Sequence, residues 1–381
     1  MPTGWLVGIG IAGFALALAL SLALTPLVKK FAVKIGAMDV PDHRKVHTRI
    51  MPRMGGLAIY AAFTATILLF LPWLPDRLLS DHDENLIRGL LVGGTMIVLL
   101  GALDDRFQLN AKLKFLVQIA AACVVVFGFD IKINLVNIPF GSAMQPMGDW
   151  LSIPLTIFWI VGVTNAINLI DGLDGLAAGV SGIAIGTILV MAALMGQGSV
   201  ILLSAVLLGG VVGFLFFNFH PAKIFMGDSG SLFLGFALAT LSMLGFKQIT
   251  VVSFVTPILI IGVPLSDTFF AIVRRWVQKK PIFAPDKGHL HHRLQQLGFS
   301  HRKTVLIIYG IAAFFGACAI VQSVATTSGM GNWVTFVVIC VLMFLLQIGA
   351  EIIGIVDKTK RPVIDFVGRL FLKQQTNTRS K

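Results

Sequence analysis

Eleven apolar runs, each about as long as a helix that crosses a bilayer, follow one another along this chain, at roughly 5–28, 55–72, 87–103, 113–129, 150–166, 176–195, 199–217, 231–246, 249–273, 304–324 and 332–356. None alternates as a half-buried strand does. A backbone in lipid must satisfy its own hydrogen bonds, so the reading is an all-α integral membrane protein of about eleven transmembrane helices. With 56% hydrophobic and only 13% charged residues in 381, no separate soluble domain fits between the runs. The first run has no basic residue before it, is too long for a signal-peptide core, and ends in Lys29-Lys30, which reads as a retained first span. Pro154, Pro257 and Pro264 lie inside or at the edge of runs and predict kinks. The expected organisation is one polytopic domain over 1–356 and a basic tail over 357–381.

The net charge of +12 would suit nucleic acid if it gathered on one face, but it is spread over alternate loops. Of the 30 Lys and Arg residues, 26 fall in the loops 29–53, 104–114, 218–231 and 274–303 and in the tail. By the positive-inside rule these segments are cytoplasmic, with the N-terminus outside and the C-terminus inside. No nucleic-acid partner is expected; the lipid bilayer is. With the inside loop 167–175, these segments hold seven of the eight histidines and ten of the 16 aspartates. No acid or base sits at mid-span; Asp267 and Glu351 lie toward inner ends, which argues against an ion pathway or transporter. Cys123, Cys318 and Cys340 lie in apolar runs without CxxC spacing, so neither a disulfide framework nor a zinc site is read.

Five inside stretches carry residue types that do chemistry. Arg49 and Arg53, beside Met54-Gly55-Gly56, read as an anion cradle or as ordinary inside charge. Asp104 and Asp105 point about 100° apart if helical; they would serve two partners, with Lys114 close by, or simply solvate a helix end. Asn165, Asn168, Asp171 and Asp174 follow at intervals of three, so a helix would align them in one stripe, either a site or a polar seam between helices; Gly172 and Gly175 permit close approach. Asn218 to Ser231 holds a single acid, Asp228, at a helix start where a carboxylate either caps the helix or holds a cation. Finally, His289, His291, His292 and Arg293 offer phosphate contacts in preference to a zinc site, since adjacent histidines ligate zinc poorly. Carboxylates and amides amid excess Lys, Arg and His describe a place for Mg²⁺ and a diphosphate at a membrane edge.

The runs Ala102-Leu-Asp-Asp105, Asn165-Ala-Ile-Asn-Leu-Ile-Asp-Gly-Leu-Asp-Gly175, Asn218-Phe-His-Pro-Ala-Lys-Ile-Phe-Met-Gly-Asp-Ser-Gly230 and His289-Leu-His-His-Arg293 resemble, in order, the polyprenyl-phosphate N-acetylhexosamine-1-phosphate transferases, glycosyltransferase family 4. The resemblance spans roughly 20–356. It implies that undecaprenyl phosphate attacks a UDP-N-acetylhexosamine, releasing UMP, with Mg²⁺ (or Mn²⁺) as cofactor. It implies a catalytic set of Asp104, Asp105, Asp171 and His291, with Asp228 as metal ligand. Uridine would meet Gly172, Leu173, Asp174 and Phe225. Arg49, Arg53, Lys114, Asn168, Asn218, His289, His292 and Arg293 complete the expected substrate contacts. Members that use UDP-N-acetylmuramoyl-pentapeptide have three contiguous histidines, and this chain has His-Leu-His-His-Arg. That difference points to UDP-N-acetylglucosamine as donor, and the surrounding wording to the branch that starts wall teichoic acid. The implied setting is the plasma membrane with the site on its cytoplasmic face. A homodimer is compatible with the family.

Overall fold

The computed structural model describes residues 3–41, 49–73, 81–133, 135–136, 145–244, 255–281 and 288–327, with isolated positions between 333 and 341. Its helices are α1 (Thr3–Ile35), α2 (Gly56–Phe70), α3 (Asp81–Phe107), α4 (Ala111–Phe129), α5 (Asp149–Leu169), α6 (Leu176–Met195), α7 (Gly198–Asn218), α8 (Asp228–Leu244), α9 (Val255–Ile260), α10 (Gly262–Val277), α11 (Leu290–Gln296) and α12 (His301–Thr327). Two short antiparallel ribbons join them: β1 (Met38–Asp39) with β2 (Met51–Pro52), and β3 (Leu135–Val136) with β4 (Gln145–Pro146).

Among the described residues, seven helical segments are long and apolar enough to cross a membrane: Val7–Ile35, Asp83–Phe107, Ala111–Phe129, Asp149–Leu169, Leu176–Met195, Gly198–Asn218 and His301–Ala325. Leu99, Phe127, Phe158 and Phe216 are each more than half exposed on these segments, which suits lipid and not water. The protein is thus a multi-pass, helical membrane protein. Other expected spans come out differently. The run 55–72 forms the 15-residue α2, which tightens into a 3₁₀ turn over Leu71–Trp73, and the run 231–246 forms the 17-residue α8. The run 249–273 is broken into α9 and α10 at Ile261. Pro257 and Pro264 each fall in the first turn of one of these helices, where a missing N–H costs nothing, so the kink becomes a break between them. The eleventh run, the tail, Arg44-Lys45-Val46-His47 and residues 282–287 lie outside the described residues.

The core is built around α8. Leu232, Phe233, Leu234, Phe236, Ala237, Leu238, Ala239 and Leu241 are at most 1% exposed, so this helix touches lipid on no side along that stretch. It packs against α2, α3, α5 and α6. Small residues allow the approach, as helix association in membranes requires. A Cβ on Gly56 would lie 2.0 Å from the backbone N of Gly230, and one on Gly101 would lie 2.4 Å from that of Ser229. The first turn of α8 is therefore gripped between α2 and α3, and that turn organises the site.

Candidate active site

The first turn of α8 leaves N–H groups without partners in its own helix. Asp105, on α3, supplies them: its carboxylate accepts from the amides of Asp228 (2.8 Å) and Ser229 (3.1 Å) and from Ser229 Oγ (2.8 Å). The neighbouring Asp104 points elsewhere. One oxygen accepts from the amide of Leu109 at 2.8 Å, fixing the α3–α4 turn, and the other lies 3.2 Å from Lys114 Nζ. The divergence expected from adjacency is present: Asp105 caps α8, while Asp104 holds the Leu109 amide and faces Lys114 and Asp228.

With its backbone capped, the side chain of Asp228 turns into a pocket of about 910 Å³. Lys114 Nζ donates to its Oδ2 at 2.9 Å, and Asn168 Nδ2 donates to its Oδ1 at 3.1 Å. The same Asn168 amide also donates to Ser231 Oγ at 2.8 Å. Arg53 closes the group: it lies 3.6 Å from Asp39, 3.4 Å from Asp105 and 3.8 Å from Asp228. Burial disfavours its charge, but those three carboxylates and Asp104 outweigh burial and raise its pKa further. Arg53 is thus a counter-ion to the acids before it is an anion cradle. Arg49 lines the pocket mouth.

The expected polar stripe does not persist. α5 ends at Leu169, so Asp171 and Asp174 sit in the turn between α5 and α6, which closes at Gly175 with φ of 77°. Asn165 leaves the stripe, donating to Gln118 Oε1 at 2.6 Å and to the Val161 carbonyl at 2.8 Å, as part of the seam between α4 and α5. The turn itself points Asp171, Gly172, Leu173 and Asp174 at the pocket. Asn218 fastens it, accepting from the Gly175 amide at 3.1 Å and donating to the Ile224 carbonyl at 3.0 Å. Tyr309 of α12 donates to the Gly175 carbonyl from the other side. Phe225 lines the pocket, its backbone bridging Pro52 and Gly55.

Asp174 accepts from the Ala222 amide at 3.1 Å and pairs with His220 Nδ1 at 2.7 Å. His301 stacks on His220 with centroids 4.1 Å apart. These three could be taken for a metal cluster. Near-parallel imidazoles hold their in-plane lone pairs parallel, however, which suits a flat wall better than converging ligands. Neither His220 nor His301 was singled out as a contact from sequence. His220 was within reach, inside the Asn218–Ser231 run, whereas His301 becomes relevant only when α12 folds back.

Asp171 makes no hydrogen bond or ion pair through its side chain with any described residue. Burial, then the charge of Asp228, push its carboxyl up to about 7, against the pull of Arg53. A carboxylate so placed, open to the pocket beside Asp228, is where a hard divalent cation would relieve repulsion. The fit is to Mg²⁺, which takes one or two carboxylates and draws its other ligands from water and phosphate.

The histidine motif divides. His292 lines the pocket. His291 is buried and packs on Gly172, where a Cβ would lie 2.6 Å from its Nε2. Burial and the neighbouring His292 push its pKa down to about 3, so it is a neutral hydrogen-bonding group rather than a cation. His289 is buried away from the pocket against Asp267, and Arg293 bonds Gln296. Asp104, Asp105 and Lys114 stand behind the pocket wall, Lys114 reaching it through Asp228.

Comparison with known proteins follows the same residues. The family model for glycosyl transferase family 4 matches residues 87–246, which include Asp104, Asp171 and Asp228. The chain is 47% identical, over 94% of its length and 96% of the relative, to the probable undecaprenyl-phosphate N-acetylglucosaminyl 1-phosphate transferase of Bacillus subtilis. It is 38% identical, over 86% of each chain, to the decaprenyl-phosphate N-acetylglucosaminephosphotransferase of Mycolicibacterium smegmatis. It is 28% identical, over 83% and 84%, to the undecaprenyl-phosphate alpha-N-acetylglucosaminyl 1-phosphate transferase of Escherichia coli K12.

Proposed function

The chain belongs to glycosyl transferase family 4, and on that premise we propose that it transfers N-acetylglucosamine 1-phosphate from UDP-N-acetylglucosamine to undecaprenyl phosphate. An oxygen of the lipid phosphate attacks the sugar-linked phosphorus. The bond from that phosphorus to the UMP oxygen breaks, UMP leaves, and undecaprenyl-diphospho-N-acetylglucosamine remains. The observation that carries the reading is one pocket of about 910 Å³ lined by Gly172, Leu173, Asp174, Asn218 and Phe225, with the carboxylates Asp171 and Asp228 beside them and Lys114 beyond on a helix that faces lipid.

Asp174, held by His220 and the Ala222 amide, keeps an acceptor toward the base. Asp171 and Asp228, with Asn168 orienting Asp228, would hold Mg²⁺, which when bound neutralises charge on the diphosphate. Lys114 sits between Asp104 and Asp228 and offers its charge to the lipid phosphate. That phosphate is already largely ionised near neutral pH, so Asp104 orients Lys114 rather than removing a proton. The charge asymmetry of the loops supports a pocket at the cytoplasmic face of the plasma membrane, and the apolar runs support about eleven spans with the N-terminus outside. The product would begin an envelope polymer such as wall teichoic acid.

The test is UMP release by purified protein with undecaprenyl phosphate, Mg²⁺ and a panel of UDP-sugars. UDP-N-acetylglucosamine is expected to give UMP, and Asp228→Asn to give none at any Mg²⁺ concentration. UMP from the muramoyl-pentapeptide nucleotide alone would move the assignment to another donor.

A further inference from the structure

The first histidine of the His289–Arg293 motif serves a different partner from the others. His289 is 6% exposed, and its Nδ1 lies 2.8 Å from Oδ2 of Asp267, which is itself 4% exposed on α10. The second oxygen of Asp267 accepts from the backbone amide of Leu290 at 2.8 Å. One buried carboxylate therefore fixes both the ring before α11 and the first peptide of that helix.

Contacts run from there toward the pocket. The rings of His289 and His291 are parallel to within 6°, with centroids 5.9 Å apart. His291 rests on Gly172, and His292 follows it onto the pocket wall. Gly172 belongs to the turn that presents Asp171 and Asp174. A carboxylate taken out of water must find donors, and charge-assisted bonds to two donors fix position as well as energy. Both donors bonded to Asp267 belong to the start of α11, so the geometry it fixes is the seat of α11 on the donor-binding turn.

We propose that Asp267 is a positioning residue for the sugar-nucleotide donor, setting the height of α11 over Gly172 and hence the placing of His291 and His292. The inference rests on the transferase reading above. It distinguishes Asp267 from a general stabilising group, because only the donor side of the pocket is touched through α11, whereas Lys114 and Asp104 belong to other helices.

The experiment is steady-state UMP release by the full-length protein, varying each substrate in turn. Asp267→Ala is expected to raise KM for UDP-N-acetylglucosamine about tenfold, as loss of a hydrogen bond to a charged group would. KM for undecaprenyl phosphate should stay within about twofold. Asp267→Asn keeps an acceptor for Leu290 and bonds the other tautomer of His289, so it should restore most of the donor affinity. Equal changes for both substrates, or a lowered thermal midpoint with an unchanged donor KM, overturn the proposal. Should Asp267→Ala fail to fold, hydrogen exchange on the wild-type protein decides. Donor with Mg²⁺ must slow exchange over 288–296, and no change there overturns the coupling. Wild-type protein that releases no UMP sinks the transferase reading and this inference with it; an active enzyme without the KM split sinks this inference alone.

Discussion

Asp105 is buried and Asp171 half-buried, and both feel the charge of Arg53, yet their surroundings give them opposite tasks. Asp105 has its oxygens filled by the first turn of α8, whereas Asp171 has no partner among the described residues. A carboxyl that titrates near 7 when folded, against about 3.9 when unfolded, favours the folded state while protonated. In the cation-free protein that contribution is full below about pH 4 and lost as pH rises past about 7. A divalent cation needs the ionised form, so the gain in thermal midpoint on adding Mg²⁺ should be small at pH 6 and large at pH 8, with protons released on binding at the lower pH. Asp171→Asn should flatten that difference. Equal gains at both pH values would put the ion elsewhere. The sequence displays both aspartates, and it displays the spacing that makes Asp104 and Asp105 diverge. It cannot tell which carboxylate faces open space and which is consumed by backbone amides of a helix far along the chain. The same holds for His289, which belongs to the motif by spelling and to Asp267 by contact.

Helices are where local pattern and tertiary demand part company. The long runs were legible because an apolar stretch of some twenty residues has few other uses. The break at Ile261 was signalled by two prolines but not placed by them, since either could have kinked a continuous span. One close contact between elements depends on a glycine whose purpose appears only in three dimensions. Gly101 brings α3 against the Asp228–Ser229 peptide, and Asp105, one turn further on, can then reach the amides of α8. Gly101→Ala puts a methyl about where backbone already lies. It should cost about 1–3 kcal/mol of stability, and it should lower activity further by pulling Asp105 off its donors. Calorimetry and UMP release measure the two effects. Unaltered stability would mean that α3 has room to move which the close contact denies.

Among the described residues the pocket and the charged groups around it gather at one set of helix ends, apart from exposed pairs such as Lys132 with Asp130 and Asp149. Counting Lys and Arg by loop is enough to expect this, and it predicts the sidedness of the chain. A fluorescent protein fused after Lys381 should fluoresce, and a reporter that works only outside the membrane should be silent at the same position. The opposite pattern would invert the topology. What charge counting cannot supply is that α8, rather than a lipid-facing helix, stands at the centre, because its apolar run reads like its neighbours.

The cap that Asp105 places on α8 also orders events in time. The two residues joined by that bond are 123 positions apart. When α3 enters the membrane, its carboxylate has no amides to hold. When α8 follows, its first turn has no acceptor until α3 is found again beside it. A nascent chain that has not yet delivered α8 therefore carries most of the motif residues but no catalytic pocket. The pocket is complete only once His292 and His301, which follow α8 in the chain, have joined it.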